Sequence, residues 1–174
     1  LSTEGEGINL VYIDSTIGWR SIQDNDFASS SIIPILISAT GGNATLTNGD
    51  FKTHVFTSPG TFCVSAGGGG LNIADYIVIA GGGGGATPVS YGGGGGAGGF
   101  RISNSQGCIP APTMSPLVAP TGLTVPPGAY SIVVGAGGAA GAPVGTAGGV
   151  STFSTITSAG GGGGAQCGAQ GGSG

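Results

Sequence analysis

Five consecutive glycines, Gly81 to Gly85, follow directly on the strand-forming stretch Tyr76-Ile77-Val78-Ile79-Ala80. The junction recurs as "FCVSAGGGG", "YSIVVGAGGAAGA" and "FSTITSAGGGGGA", and "YGGGGGAGGF" supplies a further glycine run with no strand before it. An apolar strand that enters backbone without side chains leaves few folds open. Helix is excluded, because each glycine costs ~1 kcal/mol against alanine. A collagen triple helix needs glycine at every third position with proline-rich partners, and no such period runs through the pentamers. A phosphate-binding loop ends in Gly-Lys-Ser/Thr, and no run is followed by lysine. A dinucleotide fingerprint needs a helix after its glycines, and no 3.6-residue periodicity occurs in the chain.

Two readings of the runs remain open. They are flexible loops between strands, or they are extended threefold helices of the polyglycine II kind. Such a helix has three residues per turn, rises ~3.1 Å per residue and makes no internal hydrogen bonds. Its donors and acceptors point outward, and without Cβ atoms neighbouring helices come close enough to bond to one another. That arrangement satisfies the requirement that buried N–H and C=O groups be paired. It must also offset the ~1–2 kcal/mol of backbone entropy lost by each ordered residue. Ala80, Ala86, Ala97, Ala159 and Ala165 then mark the lattice edge, where a methyl fits.

Composition agrees with packing. Glycine makes up 42 of 174 residues, far above the usual ~7%, yet only 6% of residues are charged and 39% are hydrophobic. Disordered chains have the reverse profile. Arg20, Lys52 and Arg101 are the only cations against seven acids, which argues against a nucleic-acid partner, since phosphate neutralisation needs Lys and Arg. "SIIPILISA" falls short of the ~20 apolar residues of a membrane span. No signal peptide is visible; the chain begins with Leu1, which suggests a processed product or part of a longer polypeptide.

The chain divides at about residue 66 into a β-hairpin module (1–65) and a glycine-rich strand and polyglycine domain (66–174). In the first, Ile8, Leu10 and Tyr12 alternate before a turn-like "DSTIG", with Trp19 and Ile22 beyond it. Asn48-Gly49 signals a hairpin whose two central residues take positive φ. Phe51, Thr53 and Val55 alternate with Lys52, His54 and Phe56, and after the Ser58-Pro59-Gly60 turn Phe62 and Val64 share a face. Tyr76 to Ile79 is apolar throughout, as in strands covered on both faces. The expected fold class is all-β, with short antiparallel strands and hairpins leading into a polyglycine II-like bundle or sandwich.

Nothing in the sequence has the makings of an enzyme, a cofactor site or a metal site. His54 is the only histidine and alternates with Phe and Thr on an expected strand. Asp24 and Asp26 read as solvated loop carboxylates. Cys63, Cys108 and Cys167 form no zinc spacing; free thiols or a Cys108–Cys167 disulfide both fit. Asn43-Ala44-Thr45 has the N-glycosylation pattern.

"DYIVIAGGGGGA", "YGGGGGAGGFR", "VPPGAYSIVVGAGGAAG" and "STFSTITSAGGGGGA" together resemble the glycine-rich domain common in tail-fibre and other virion structural proteins of bacteriophages, cyanophages especially. Pro126-Pro127-Gly128, the strand from Tyr130 and the closing segment from Ser151 match that pattern, and "INLVYIDSTIGW" is similar to a β-module recurrent in long phage fibres. The resemblance implies a non-enzymatic virion structural protein, part of a tail or capsid-attached fibre. It implies a homo-oligomer, a trimer by the family's habit, that meets other virion proteins and a host-cell receptor. On that reading the loops between glycine runs make the contact. The candidates are the proline-studded loop at 102–125 with its approach (Arg101, Asn104, Gln106, Met114, Leu117), "TPVSY" at 87–91 (Thr87, Tyr91), and "APVGT" at 142–146 (Val144-Gly145). The competing reading is a secreted bacterial surface appendage or, less well matched, an ice-binding protein.

Overall fold

The computed structural model of the protein describes residues 10–12, 15–16, 18–21, 37–66, 72–87, 91–105 and 117–166. The chain forms two compact units, Leu1–Ile35 and Leu36–Gly174. In the first, β1 (Leu10–Tyr12) pairs antiparallel with β2 (Trp19–Ser21), so that Tyr12 lies opposite Trp19. Their rings meet edge-on with centroids 5.4 Å apart, a geometry that adds roughly 0.5–1.5 kcal/mol beyond burial. Ile8, Ile22, Asp24 and Asp26 lie outside the described residues.

The second unit contains the remaining strands. These are β3 (Ser38–Thr40), β4 (Ala44–Asn48), β5 (Phe51–Val55), β6 (Gly60–Ala66), β7 (Ile73–Ala74), β8 (Ile77–Ile79), β9 (Phe100–Ser103), β10 (Val118–Ala119), β11 (Leu123–Thr124), β12 (Gly128–Val133), β13 (Ser151–Phe153) and β14 (Ile156–Ser158). They form a five-stranded antiparallel sheet in the order β14-β13-β12-β6-β3, a three-stranded sheet β10-β9-β8, and the pairs β4-β5 and β11-β7. Among the described residues there is no helix, so none is long and apolar enough to cross a membrane. The all-β expectation holds.

Strand β6 sits between β12 and β3, with Tyr130 opposite Phe62. The hairpin segment from residue 37 to 66 therefore shares a sheet with the strands that serve the glycine runs. Local pattern finds the strand but not its distant partner. The Asn48-Gly49 signal does give a hairpin, with Asn48 paired to Phe51. The loop residues are Gly49 and Asp50, one position later than the signal suggests. Only Gly49 has positive φ, at 58°, which is what the first loop position of a II′-type turn requires and glycine supplies.

The core is small and aromatic. Phe153 stands at its centre, with ring centroids 6.0 Å from Phe62, 6.3 Å from Tyr130 and 6.4 Å from Tyr76. Ala39, Val64, Val78 and the fully buried Val125 complete it. Phe62 and Val64 share the inner face of β6, as their alternation predicts. The expectation for β8 is half met: Val78 is buried, but Ile77 and Ile79 are 62% and 60% exposed. Continuous apolarity reads the same whether one face or two is covered. Ile79 lies opposite Phe100, itself exposed, so β8 and β9 present an open apolar face.

Five extended runs adjoin these strands: run 1 (80–86), run 2 (92–99), run 3 (135–141), run 4 (144–150) and run 5 (159–165). Backbone hydrogen bonds of 2.7–3.1 Å join them side by side, repeating every third residue. The amides of Ala80, Gly83 and Ala86 donate to Gly99, Gly96 and Gly93 of run 2, while those of Gly81 and Gly84 donate to Gly149 and Thr146 of run 4. Gly138 and Gly141 of run 3 donate to Gly82 and Gly85, and Gly161 and Gly164 of run 5 to Gly81 and Gly84. Gly93, Gly96 and Gly99 donate to Ala165, Gly162 and Ala159, and run 4 bonds to both run 3 and run 5. These neighbours define two layers, runs 2-1-3 over runs 5-4. A strand ladder alternates with period two; this one does not.

At most positions of the runs a Cβ has no room, and positive φ is not the reason for glycine: none of the run glycines has positive φ. In run 3 a Cβ on Gly135 or Gly138 would collide with the carbonyl of Gly149 or Thr146, and one on Gly141 would lie 2.8 Å from that of Val144. Ala136, Ala139 and Ala140 fill positions between. In run 4, Gly145 and Gly148 face the carbonyls of Gly84 and Gly81, whereas Val144, Ala147 and Val150 occupy another register. Run 5 is closed at Gly160 and Gly163 by the carbonyls of Gly148 and Gly145, and at Gly161 and Gly164 by those of Gly96 and Gly93.

Three outcomes are expected on denaturation. Gly83→Ala, whose Cβ would strike the Gly162 carbonyl, costs roughly 1–3 kcal/mol, as overpacking does. Gly94→Ala, which meets nothing within 4 Å, leaves stability unchanged or raises it by ~0.4–1 kcal/mol. Equal effects in urea titrations would mean that the runs do not pack as described. Phe153→Ala should cost about 3–5 kcal/mol, enough to bring a domain of ordinary stability close to unfolding.

Candidate functional site

Run directions decide which loops meet. Run 2 returns antiparallel to run 1, run 4 antiparallel to run 3, and run 5 lies parallel to run 1. Strands β8, β9, β12, β13 and β14 therefore all adjoin the runs at one end. The loop after run 1, the turn between runs 3 and 4, and the end of run 5 gather at the other.

Gln166 ties this loop end together. Its backbone N–H donates to the Pro143 carbonyl at 2.9 Å, and its Nε2 donates to the Thr87 carbonyl at 2.9 Å. The Thr87 N–H donates to Gly141, also at 2.9 Å. The Ala142–Pro143 peptide is cis. Tyr91 stands at the start of run 2, 78% exposed. Residues 86–87, 91–93, 141–146 and 165–166 include no charged side chain. The end thus offers an aromatic ring, an amide side chain, a hydroxyl and backbone groups at the tips of the hydrogen-bonded runs. Among the described residues of this end there is no acid, base or nucleophile pair.

The sequence-derived contact residues do not converge on it. Thr87 and Tyr91 lie at the loop end. Val144 is half-buried, and Gly145 is buried within run 4, its N–H bonded to Gly164 at 2.8 Å. Arg101, Asn104 and Leu117 lie at the opposite, strand end. Arg101 is half-buried on β9 opposite Val78, and its Nη1 donates to the Phe100 carbonyl at 3.0 Å. The Asn104 N–H donates to Ala119 at 2.9 Å, and Leu117 is 59% exposed. Gln106 and Met114 fall outside the described residues. The start of the long loop is pinned by Asp75, whose carboxylate accepts from the hydroxyls of Ser103 (2.7 Å) and Ser105, while the Tyr76 N–H donates to the Ser103 hydroxyl.

Gln166 was missed, although the sequence held a signal for it. Run 1 reads Ala-Gly5-Ala-Thr and run 5 reads Ala-Gly5-Ala-Gln. In two parallel neighbours of identical spacing, Gln166 falls beside Thr87.

His54, Asn43 and Lys52 have partners within the fold. His54 Nδ1 lies 2.7 Å from the Gly41 carbonyl, and its ring packs edge-on against Phe62 at 5.2 Å. Asn43 accepts through Oδ1 from the Thr57 N–H at 2.8 Å and holds the turn before β6. Lys52 donates to the Ala39 carbonyl at 3.3 Å. Among the described residues no three His, Cys, Asp or Glu side chains come together to hold a metal. Cys63 is a free thiol; Cys108 and Cys167 lie outside the described residues.

No curated protein and no solved structure matches the chain. The model of one family does, over residues 56–174, and its description is a glycine-rich domain. That stretch is well over half of the chain and takes in β6, all of the core except Ala39 and its neighbour Ile37, all five runs and both ends of the bundle. The chain belongs to the glycine-rich domain family.

Proposed function

We propose that the chain is a non-enzymatic structural protein of a bacteriophage virion, part of a tail or capsid-attached fibre. In this reading the five runs are polyglycine II helices. They form a rigid mount, and the loop end bearing Thr87, Tyr91 and Gln166 meets the host surface. One observation carries the proposal: the runs bond to one another at every third residue and deliver two loops and Gln166 to a single uncharged end. Three residues per repeat is the period of a polyglycine II helix and differs from that of a strand. A bundle fixed by main-chain bonds leaves its loops free to vary in sequence, which suits recognition. The open apolar face at Ile77, Ile79 and Phe100 agrees with a chain that works beside copies of itself or other virion proteins.

Immunogold electron microscopy of the native source material, with antibody raised against residues 87–91, tests this assignment. Label at fibre ends on virus particles is the expected result. Label along shafts or on capsids would retain the structural role and remove the contact role. Label on cell surfaces with none on particles would overturn the virion assignment in favour of a bacterial appendage.

A further inference from the structure

The tip of the β4-β5 hairpin carries chemistry that neither the core nor the runs use. There Asn48 is followed directly by Gly49 and Asp50, and all three are exposed. The side-chain Cγ of an asparagine lies within reach of the main-chain nitrogen of the next residue, and attack by that nitrogen closes a succinimide ring. A side chain on the following residue hinders the approach. Glycine has no Cβ and leaves it open.

Four asparagines lie among the described residues, and the structure separates them. The Asn43 carboxamide is tied at both ends: Oδ1 accepts from the N–H groups of Thr57 and Ser58, and Nδ2 donates to the Ser58 hydroxyl at 3.1 Å. Asn72 Oδ1 is buried, and the β-branched Ile73 follows it. Asn104 precedes Ser105 at the pinned start of the long loop, its N–H held by Ala119. Asn48 alone of the four joins an exposed carboxamide, with no hydrogen bond to a described residue, to a glycine after it. The Gly49 amide donates to no described residue, and a Cβ there would meet nothing within 4 Å, so the space over the turn is open. Reaching Cγ needs a rotation about the Cα–C bond of Asn48, which breaks the pair Asn48–Phe51, the last of its ladder. That pair stands at the end of the hairpin with Phe51 70% exposed, where local opening costs least.

We propose that Asn48-Gly49 is a site of spontaneous modification, where the exposed turn converts asparagine to aspartyl and isoaspartyl residues. The Gly49 nitrogen gives up its proton and bonds to Asn48 Cγ; the Cγ–Nδ2 bond breaks, and Nδ2 leaves with that proton as ammonia. Water, the only co-reactant, then opens the succinimide. Opening at Cγ gives an aspartyl residue, and opening at the main-chain carbonyl gives the isoaspartyl link. No atom is oxidised or reduced. Either product adds one negative charge to a formal net charge of -4, two residues from Asp50. In the isoaspartyl form the main chain passes through Cβ and Cγ and is one carbon longer. The carbonyl opposite Phe51 becomes a free carboxylate, so the last pair of the ladder does not re-form as it was. The hairpin frays from its tip, while Asn43 still holds the base. The tip thus changes charge and shape with the age of the chain.

The folded full chain, stored in mildly alkaline buffer made with heavy-oxygen water and then digested in ordinary water, reads the reaction by peptide mass and fragmentation. Residue 48 should lose its amide and gain heavy oxygen before Asn43, Asn72 or Asn104 changes, and the product should separate into aspartyl and isoaspartyl forms. The rate should rise in proportion to hydroxide, because the deprotonated amide is the attacking group. Asn48→Gln keeps a carboxamide but sets it one methylene farther from the Gly49 nitrogen. That variant should show no conversion at residue 48 over the same period and an unchanged Tm. An Asn48 that stays intact in the folded chain while converting in urea would mean that the hairpin holds Cγ and the Gly49 nitrogen apart, and would overturn the proposal. Conversion of Asn43 or Asn104 at the same rate would overturn it equally. Neither result bears on whether the chain sits in a virion, which the gold labelling decides separately.

Discussion

The second unit depends on backbone-to-backbone hydrogen bonding at a distance only glycine permits. Each inner run is held from several directions at once: Gly81 donates to Gly149 and accepts from Gly161, and Gly84 donates to Thr146 and accepts from Gly164. A net gain of about 0.5–1.5 kcal/mol per bond against ~1–2 kcal/mol of backbone entropy per ordered residue leaves such a lattice near balance at best. The aromatic core must supply the rest. Phe153, Phe62, Tyr130 and Tyr76 hold the ends of the strands that adjoin runs 1, 3, 4 and 5, so the runs begin already aligned and lose less freedom when they pair.

This division of labour accounts for the composition. Side chains are concentrated at the strand end, and the runs are reduced to main chain with methyls at outward positions. Charge is almost absent because the lattice contains no place to solvate it. The cations whose side chains can be described, Lys52 and Arg101, both donate to backbone carbonyls among the strands. The hydrogen-bond period of three lets one run serve neighbours on several sides where a strand serves two.

How much of this could be read beforehand differs from element to element. The strand β6 was legible from Phe62 and Val64, and the hairpin β4-β5 from Asn48-Gly49, because both are local patterns. The partners of β6 were not, since Tyr130 lies far along the chain and nothing near Phe62 points to it. The exposure of Ile77 and Ile79 was hidden for a related reason: composition reports what a strand could bury, not what covers it. Within the runs, the glycine triplets of run 3 and run 4 were visible as letters but had no meaning until neighbouring carbonyls gave each register a direction. The site fared worst. Loops grouped by their place between glycine runs separate to opposite ends of the bundle, because run direction sets their position. Gln166, with no loop of its own, was overlooked although its spacing repeats that of Thr87.

Residue-resolved amide hydrogen exchange in dilute solution tests the lattice most directly. Run 2 gives the clearest reading, since one side of it is bonded and the other open. The amides of Gly93, Gly96 and Gly99 should exchange slowly while those of Gly94, Gly95 and Ala97 exchange fast, with the same three-residue rhythm in run 5 at Gly161 and Gly164. Uniformly fast exchange along the runs would mean that they are flexible connectors, and protection at alternate residues would mean that they are strands. Either result would contradict a lattice of runs bonded at every third residue.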